Sequence, residues 1–164
     1  MNERKKISLI LIILVVIGTM DHLSKDWITS FLANKESIEI TGFFNLILTH
    51  NRGVSFAMFQ AGNIYGVWML IGLTSLLTIV VLYLALKSKE KCEIFAFSLI
   101  AGGALGNLFD RIRLGAVIDF LDFHAYGYHW PAFNIADSAI CIGVCLLFFH
   151  QFFINSTKKQ EGYP

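Results

Sequence analysis

The residues of this sequence best suited to chemistry are three aspartates in apolar surroundings. Asp119 and Asp122 lie in the run GAVIDFLDF at 115–123, and Asp137 follows Asp119 by 18 residues, near the beginning of another apolar stretch. Two carboxylates in a partly dehydrated site cannot both ionise easily, so the pair holds one proton. The charged member can take a proton from water while the protonated member donates to a carbonyl oxygen. This chemistry hydrolyses an amide without a covalent intermediate. Because the pair titrates as a unit, the sequence does not say which aspartate holds the proton.

The spacing of the three aspartates leaves their pairing open. On a helix, Asp119 and Asp122 would face the same way, whereas on an extended segment they would point to opposite faces. The β-favoured residues of 115–123 indicate an extended segment, in which Asp119 turns inward on the face of Val117 and Leu121. We therefore predict that Asp119 works with Asp137, and we interpret Asp122 as a turn or surface residue.

Composition indicates a membrane protein. The chain has 164 residues, 55% hydrophobic and 15% charged, with a mean hydropathy of +0.62. A soluble domain of this length carries more charge. Two prolines and no low-complexity linker predict one domain over 1–164. The net charge of +1 gives no reason to expect a nucleic-acid partner. The three cysteines and five histidines have neither disulfide-framework nor metal-site spacing, so we predict no metal.

Four segments are long and apolar enough to cross a bilayer as helices, which takes about 20 residues each. They lie at about 7–32, 63–86, 94–112 and 135–154. The N-terminal segment also resembles a signal peptide, but it lacks a clean cleavage pair, so we predict an uncleaved first helix. The prediction is an all-α membrane protein with four transmembrane helices.

The basic residues predict the orientation, because cytoplasmic loops carry an excess of Lys and Arg. Eight of the 13 basic residues fall on one side of a four-helix arrangement: Arg4, Lys5, Lys6, Lys87, Lys89, Lys91, Lys158 and Lys159. Both termini are therefore predicted to be cytoplasmic.

This topology brings the polar residues of three helices to one depth, near the extracytoplasmic leaflet. The residues concerned are Asp21 and Lys25 in helix one, Asn107, Asp110 and Arg111 in helix three, and Asp137 in helix four. Polar groups at that depth are costly unless they are paired or functional, so their convergence is the main functional signal.

Several of these residues also have purely structural interpretations. Asp21 and Lys25 have the i, i+4 spacing of a helical ion pair. Asp110 and Arg111 could be simple end-of-helix charges, and Arg111 could instead bind a carboxylate or a phosphate-bearing lipid. Asn134 fits a helix N-cap, with Asp137 complementing the helix dipole. The small-xxx-small pair Gly102 and Gly106 predicts close helix packing.

The segment at about 37–60 is predicted to be a small extracytoplasmic β-platform or hairpin. It combines β-branched and aromatic residues with turn signals at Thr41-Gly42 and Asn51-Arg52-Gly53. Its apolar character predicts a position on the membrane surface, where it could hold an extended peptide by backbone hydrogen bonds.

The sequence resembles the lipoprotein signal peptidases of bacteria, also called signal peptidase II. The resemblance is carried by five blocks in family order between 21 and 137: Asp21-x-x-Ser24-Lys25, NRGVSF at 51–56, GGALGNLFDRI at 102–112, GAVIDF at 115–120 and WPAFNIAD at 130–137. A small departure is His22, where the family often has Gln.

The resemblance implies an aspartyl endopeptidase that removes the signal peptide of a prolipoprotein just before a diacylglyceryl-modified cysteine. It implies that Asp119 and Asp137 are the catalytic dyad. Lining residues would be Asn107, Arg111, Asn134 and Ala136, and supporting residues would be Asp21, Lys25, Asn51 and Gly53. It further implies a multi-pass protein of the bacterial inner membrane, without metal or cofactor, inhibited by cyclic peptide antibiotics. We expect a monomer in contact with membrane lipid.

Two other classes of protein would account for part of this pattern. A proton-coupled transporter would use acidic residues as a relay, but no acidic residue lies at the middle of any span. A membrane scaffold assembling through Gly102 and Gly106 would leave the cluster of acidic residues unexplained.

Overall fold

A computed structural model describes residues 1–35, 37–53 and 64–154. Four long helices confirm the predicted fold class: α1 (Glu3–Phe31), α2 (Ile64–Lys87), α3 (Lys91–Leu114) and α4 (Ile135–Phe149), which continues as a π-helical turn (His150–Ile154). Four strands accompany them: β1 (Ser37–Thr41), β2 (Phe44–Asn51), β3 (Val117–Ala125) and β4 (Tyr128–His129). Positions 54–60 of the predicted β-platform, position 63 and the tail at 155–164 lie outside the described residues.

The four helices have the character of membrane spans. Each contains an apolar stretch long enough to cross a bilayer. Large apolar side chains on their outer faces, such as Val15 on α1 and Ile79 on α2, are 65% exposed in the isolated chain. In a membrane these faces contact lipid, which is as apolar as the side chains.

The central helix of the bundle is α3, which packs against each of the other three. Its glycines permit the close approach. Gly102 lies against Ile17, and Gly106 against Asp21 of α1, so the predicted packing role of this pair is confirmed. Gly103, between them, faces the backbone of Ala136 at the beginning of α4 and leaves no room for a Cβ.

The strands form one antiparallel sheet in the order β1-β2-β3-β4. It lies where α1 and α3 terminate and α4 begins, which we call the sheet end of the bundle. At the end of α3, Gly115 has a left-handed φ of 69° and turns the chain into β3. A buried cluster of Ile28 and Leu32 with Ile118 and Phe120 then joins α1 to the sheet.

Replacing Gly103 with alanine tests the packing of α3 against α4. The added methyl group would meet the carbonyl oxygen of Ala136 and the side chain of Ile140. We expect a loss of about 1–3 kcal/mol in the free energy of unfolding, the usual cost of overpacking, seen as a lower Tm in detergent. The matched control is Gly72→Ala on α2, whose methyl group would meet no atom within 4 Å. Equal Tm values for the two variants would contradict this packing.

Candidate active site

The side chain that joins the predicted pair of aspartates is Asn134, the N-cap of α4. Its Oδ1 accepts a hydrogen bond from the backbone N–H of Asp137 at 2.9 Å, and Oδ2 of Asp137 accepts from the N–H of Asn134 at 3.2 Å. The predicted N-cap is thus confirmed. The Nδ2 of Asn134 lies 2.7 Å from Oδ1 of Asp119. One residue therefore caps the helix that carries Asp137 and hydrogen-bonds Asp119.

Asp119 is buried on β3, with 2% of its surface exposed. Its second oxygen, Oδ2, accepts a hydrogen bond from Nδ2 of Asn51 at 2.9 Å. Burial raises the pKa of Asp119 to about 6, and the negative charge of Asp137 acts in the same direction. The hydrogen bonds from Asn51 and Asn134 oppose this rise. The carboxyl group can therefore exchange a proton near neutral pH.

Asp137 lies in the first turn of α4, where a negative charge complements the helix dipole. Its Oδ1 accepts a hydrogen bond from Nδ2 of Asn107 on α3 at 2.7 Å. The two aspartates open to different spaces. Asp119 borders a cavity of about 740 Å³ on the sheet side. Asp137 borders a groove of about 380 Å³ lined mainly by apolar residues: Trp130, Phe133, Ser138, Cys141 and Ile142.

Lys25 is buried in the bundle, with 1% of its surface exposed. Its Nζ is 2.7 Å from Oδ2 of Asp21, 2.8 Å from Oδ2 of Asp110 and 3.3 Å from Oδ1 of Asn107. The predicted Asp21–Lys25 pair is confirmed. Asp110 is not a simple end-of-helix charge, because it is buried as a second partner of Lys25.

Each carboxylate around Lys25 also holds a backbone amide of another element. Oδ1 of Asp21 accepts from the N–H of Ala136 in α4 at 2.9 Å. Oδ2 of Asp110 accepts from the N–H of Ile118 in β3 at 3.2 Å. The Lys25 cluster therefore positions the elements that carry Asp119 and Asp137. The role of Asp110 could have been found from its spacing, since it lies one helical turn beyond Asn107.

The remaining predicted residues surround this centre. Gly53 has a φ of +92°, and its N–H donates to Oδ1 of Asn51 at 2.9 Å, which leaves Nδ2 of Asn51 for Asp119. Arg111 lies within electrostatic reach of Asp119 and Asp137, and its Nε has no hydrogen-bond partner among the described residues. It borders a cleft of about 290 Å³ between α2, α3 and α4.

The predicted surface position of Asp122 is wrong. Its side chain is 4% exposed, and it lines the same cavity as Asp119. A β-bulge accounts for this: the N–H groups of Phe120 and Leu121 both donate to the carbonyl oxygen of Phe133, at 3.1 and 2.9 Å. A bulge adds one residue and interrupts the alternation of faces. Residues three apart on β3 can then face the same side.

The hydrogen-bond partners of Asp122 were also not predicted from the sequence. Its oxygens accept from Nδ2 of Asn45 at 3.0 Å and lie 2.8 and 3.0 Å from Nδ1 of His129. Burial acts to raise the pKa of Asp122, but these hydrogen bonds hold that pKa below its ordinary value.

His22 lies on α1 and contacts Asp26 and the ring of Phe109. The presence of His22 where the family often has Gln therefore affects only local contacts of α1 and α3.

Comparisons with known proteins cover most of the chain. Residues 11–153 match the family described as signal peptidase (SPase) II. The lipoprotein signal peptidase of Ralstonia nicotianae is 48% identical over 129 residues, which make up 78% of this chain and 75% of that protein. That of Francisella tularensis subsp. novicida is 42% identical over 153 residues, or 92% and 93% of the two chains.

Solved structures agree with the sequence comparisons. Two bacterial membrane enzyme structures determined by the in meso method superpose with TM-scores of 0.79 and 0.75, at 28% and 29% identity. The superpositions cover 96% and 90% of this chain, and 94% of each of the other two. The likeness therefore includes the sheet as well as the helices.

Removing the charge of Lys25 tests the buried cluster. Lys25→Met leaves Asp21 and Asp110 without their shared partner, which we expect to cost about 3–5 kcal/mol in the free energy of unfolding. Adding Asp110→Asn should restore part of this loss, because it removes one uncompensated charge. The control is Lys35→Met, which changes an exposed lysine. Thermal unfolding in detergent measures all three, and a Lys25→Met protein as stable as its parent would contradict the assignment.

Proposed function

Since the chain belongs to the signal peptidase II family, we propose that it is an intramembrane aspartyl endopeptidase that processes prolipoproteins. It removes the signal peptide by hydrolysis just before the diacylglyceryl-modified cysteine, with Asp119 and Asp137 as the catalytic dyad. The observation that carries this proposal is the position of Asn134, whose side chain bonds Asp119 while capping the helix of Asp137. It supports a dyad in which both carboxylates have fixed positions and one can hold a proton.

The proposed reaction needs one proton on the pair. The charged carboxylate takes a proton from water, and the oxygen of that water adds to the scissile carbonyl carbon. The protonated carboxyl group donates its proton to the carbonyl oxygen, which gives a tetrahedral diol. The carbon–nitrogen bond then breaks as the amine of the cysteine receives a proton from the dyad. One hydroxyl of the diol returns a proton, so the pair again holds one.

The neighbouring residues have supporting roles in this scheme. Asn51, Asn107 and Asn134 donate hydrogen bonds to the carboxylates and orient them. The fork of Arg111 offers donors to a substrate carbonyl or a lipid phosphate, in keeping with its Nε, which has no partner within the described part of the chain. Asp21, which is paired with Lys25, accepts a hydrogen bond from the N–H of Ala136.

The substrate is proposed to enter from the lipid. Asp137 borders a mainly apolar groove on α4, and neighbouring side chains such as Ile142 are exposed. The signal helix and the acyl chains can stay in the bilayer while the scissile bond reaches the dyad. Asp119 faces the sheet-side cavity, which leaves space for the polypeptide beyond the cysteine.

We place the protein in the bacterial inner membrane, as a monomer with both termini in the cytoplasm. The described basic flanks of α1, α2 and α3 support this orientation, since they lie at the end of the bundle opposite the sheet. The dyad then faces the extracytoplasmic leaflet. Cyclic peptide antibiotics, the inhibitors implied by the family resemblance, would block the enzyme by occupying the dyad.

Asp119→Asn and Asp137→Asn test the dyad directly. Each removes a carboxylate that must bind or release a proton, so we expect each alone to lower kcat by at least about 100-fold, the lower range for acid–base catalysis. The assay is cleavage of a lipidated prolipoprotein in detergent or vesicles. Asp26→Asn, at an exposed position of α1, should cleave at the parent rate. Substantial turnover by either dyad variant would refute the assignment.

The pH dependence of kcat/KM should show the raised pKa of Asp119. An aspartate with a pKa of about 6 instead of 3.8 keeps its proton up to that pH. We therefore expect kcat/KM to fall as the pH rises through about 6, when the pair loses its shared proton. Asn51→Ala removes a donor that stabilises the charged form of Asp119, so the midpoint of the fall in kcat/KM should move to higher pH.

The matched control for this experiment is Asn45→Ala on the same strand, because Asn45 donates to Asp122 instead. Its midpoint should equal that of the parent. A midpoint that moves down in Asn51→Ala, or equally in both variants, would show that Asp119 does not set the profile.

A further inference from the structure

A second cluster of hydrogen-bonded side chains lies beside the proposed dyad, and the proposed reaction makes no use of it. Asp122 on β3 accepts from Asn45 on β2 and contacts His129 on β4, so three strands meet at one carboxylate. Both oxygens of Asp122 lie within 3.0 Å of Nδ1 of His129. An ionised carboxylate can only accept, so Nδ1 carries a proton whatever the charge of the ring.

The element that carries His129 has little backbone support of its own. Strand β4 has two residues, which pair as His124 with His129 and Ala125 with Tyr128. A ribbon this short is marginal without side-chain contacts. The rings of His124 and His129 stack at 4.8 Å, and Asp122 binds the His129 ring at its Nδ1. The side chains therefore supply contacts that this short ladder lacks.

The chain that follows His129 leads directly to the dyad. The N–H of Trp130 donates to the carbonyl oxygen of Phe123 at 2.8 Å, and the N–H of Phe133 donates to that of Leu121 at 3.1 Å. The next residue is Asn134, the cap that bonds Asp119. A return segment of 130–133 thus runs back along β3, with His129 at one end and Asn134 at the other.

We propose that Asp122 and His129 form a clamp that holds the return segment on β3 and so positions Asn134 and Asp137 against Asp119. They are positioning residues for the proposed hydrolysis, on which this inference rests. The carboxylate of Asp122 is occupied by its two partners, and the atom of His129 that it binds is Nδ1. A catalytic histidine in this cavity would instead use Nε2, which makes the two roles separable.

The test is a matched pair of substitutions at His129. His129→Asn keeps an N–H donor near the position of Nδ1 but removes Nε2 and the titrating ring. His129→Phe keeps a ring that can stack on His124 but has no donor. We expect the Phe variant to lose about 100-fold in kcat at unchanged KM, the cost of a misplacement of about 1 Å, and the Asn variant to recover most of it. Turnover is measured on a lipidated prolipoprotein.

Hydrogen exchange at the amides of Trp130 and Phe133 provides a readout that needs no substrate. Exchange should quicken in His129→Phe and stay at the parent rate in His129→Asn. Unchanged exchange in the Phe variant would overturn the clamp, and parent-like turnover in that variant would overturn its positioning role. Equal loss of turnover in both variants would assign the function to Nε2 instead. If the parent itself fails to cleave, the proposed function is refuted, while exchange still decides whether the clamp exists.

Discussion

The contact between the ammonium group of Lys25 and the carboxylates of Asp21 and Asp110 organises the sheet end of the bundle. Burying an ion costs several kcal/mol unless a partner compensates it. Here the compensation requires α1 and α3 to meet at this depth. Each carboxylate also accepts a hydrogen bond from a backbone amide, that of Ala136 for Asp21 and that of Ile118 for Asp110. The same charges that bring two helices together thus also anchor α4 and β3.

The proposed dyad depends on that anchoring because its two members come from the ends of different elements. Asp119 lies in a strand that begins just after α3, and Asp137 lies in the first turn of α4. Asn134 connects them directly, and Asn107 connects Asp137 to the Lys25 cluster. The carboxylates are thereby held by amide groups, which carry no net charge. For Asp119, the hydrogen bonds from Asn51 and Asn134 lower the pKa less than burial raises it.

Helix packing and sheet pairing position the polar side chains in different ways. Glycines at 102, 103 and 106 let α3 approach α1 and α4 closely, which sets the depth and spacing of the polar side chains. The sheet then determines which way the side chains of β3 point. Its bulge at Phe120 and Leu121 places Asp119 and Asp122 on the same cavity, one beside Asn134 and the other beside His129. The two carboxylates have different hydrogen-bond partners, although their surroundings in the sequence are alike.

The sequence by itself determined the four helices, since a span of about 20 apolar residues has few alternatives in lipid. It also determined the Asn134 cap and the Asp21–Lys25 pair, because both depend on contacts within one or two helical turns. The tertiary structure alone decided that β3 pairs with β2 and that Asp122 is buried. These outcomes depend on partners distant in sequence. In particular, the bulge arises from hydrogen bonds to Phe133, and alternation along a single strand cannot reveal it.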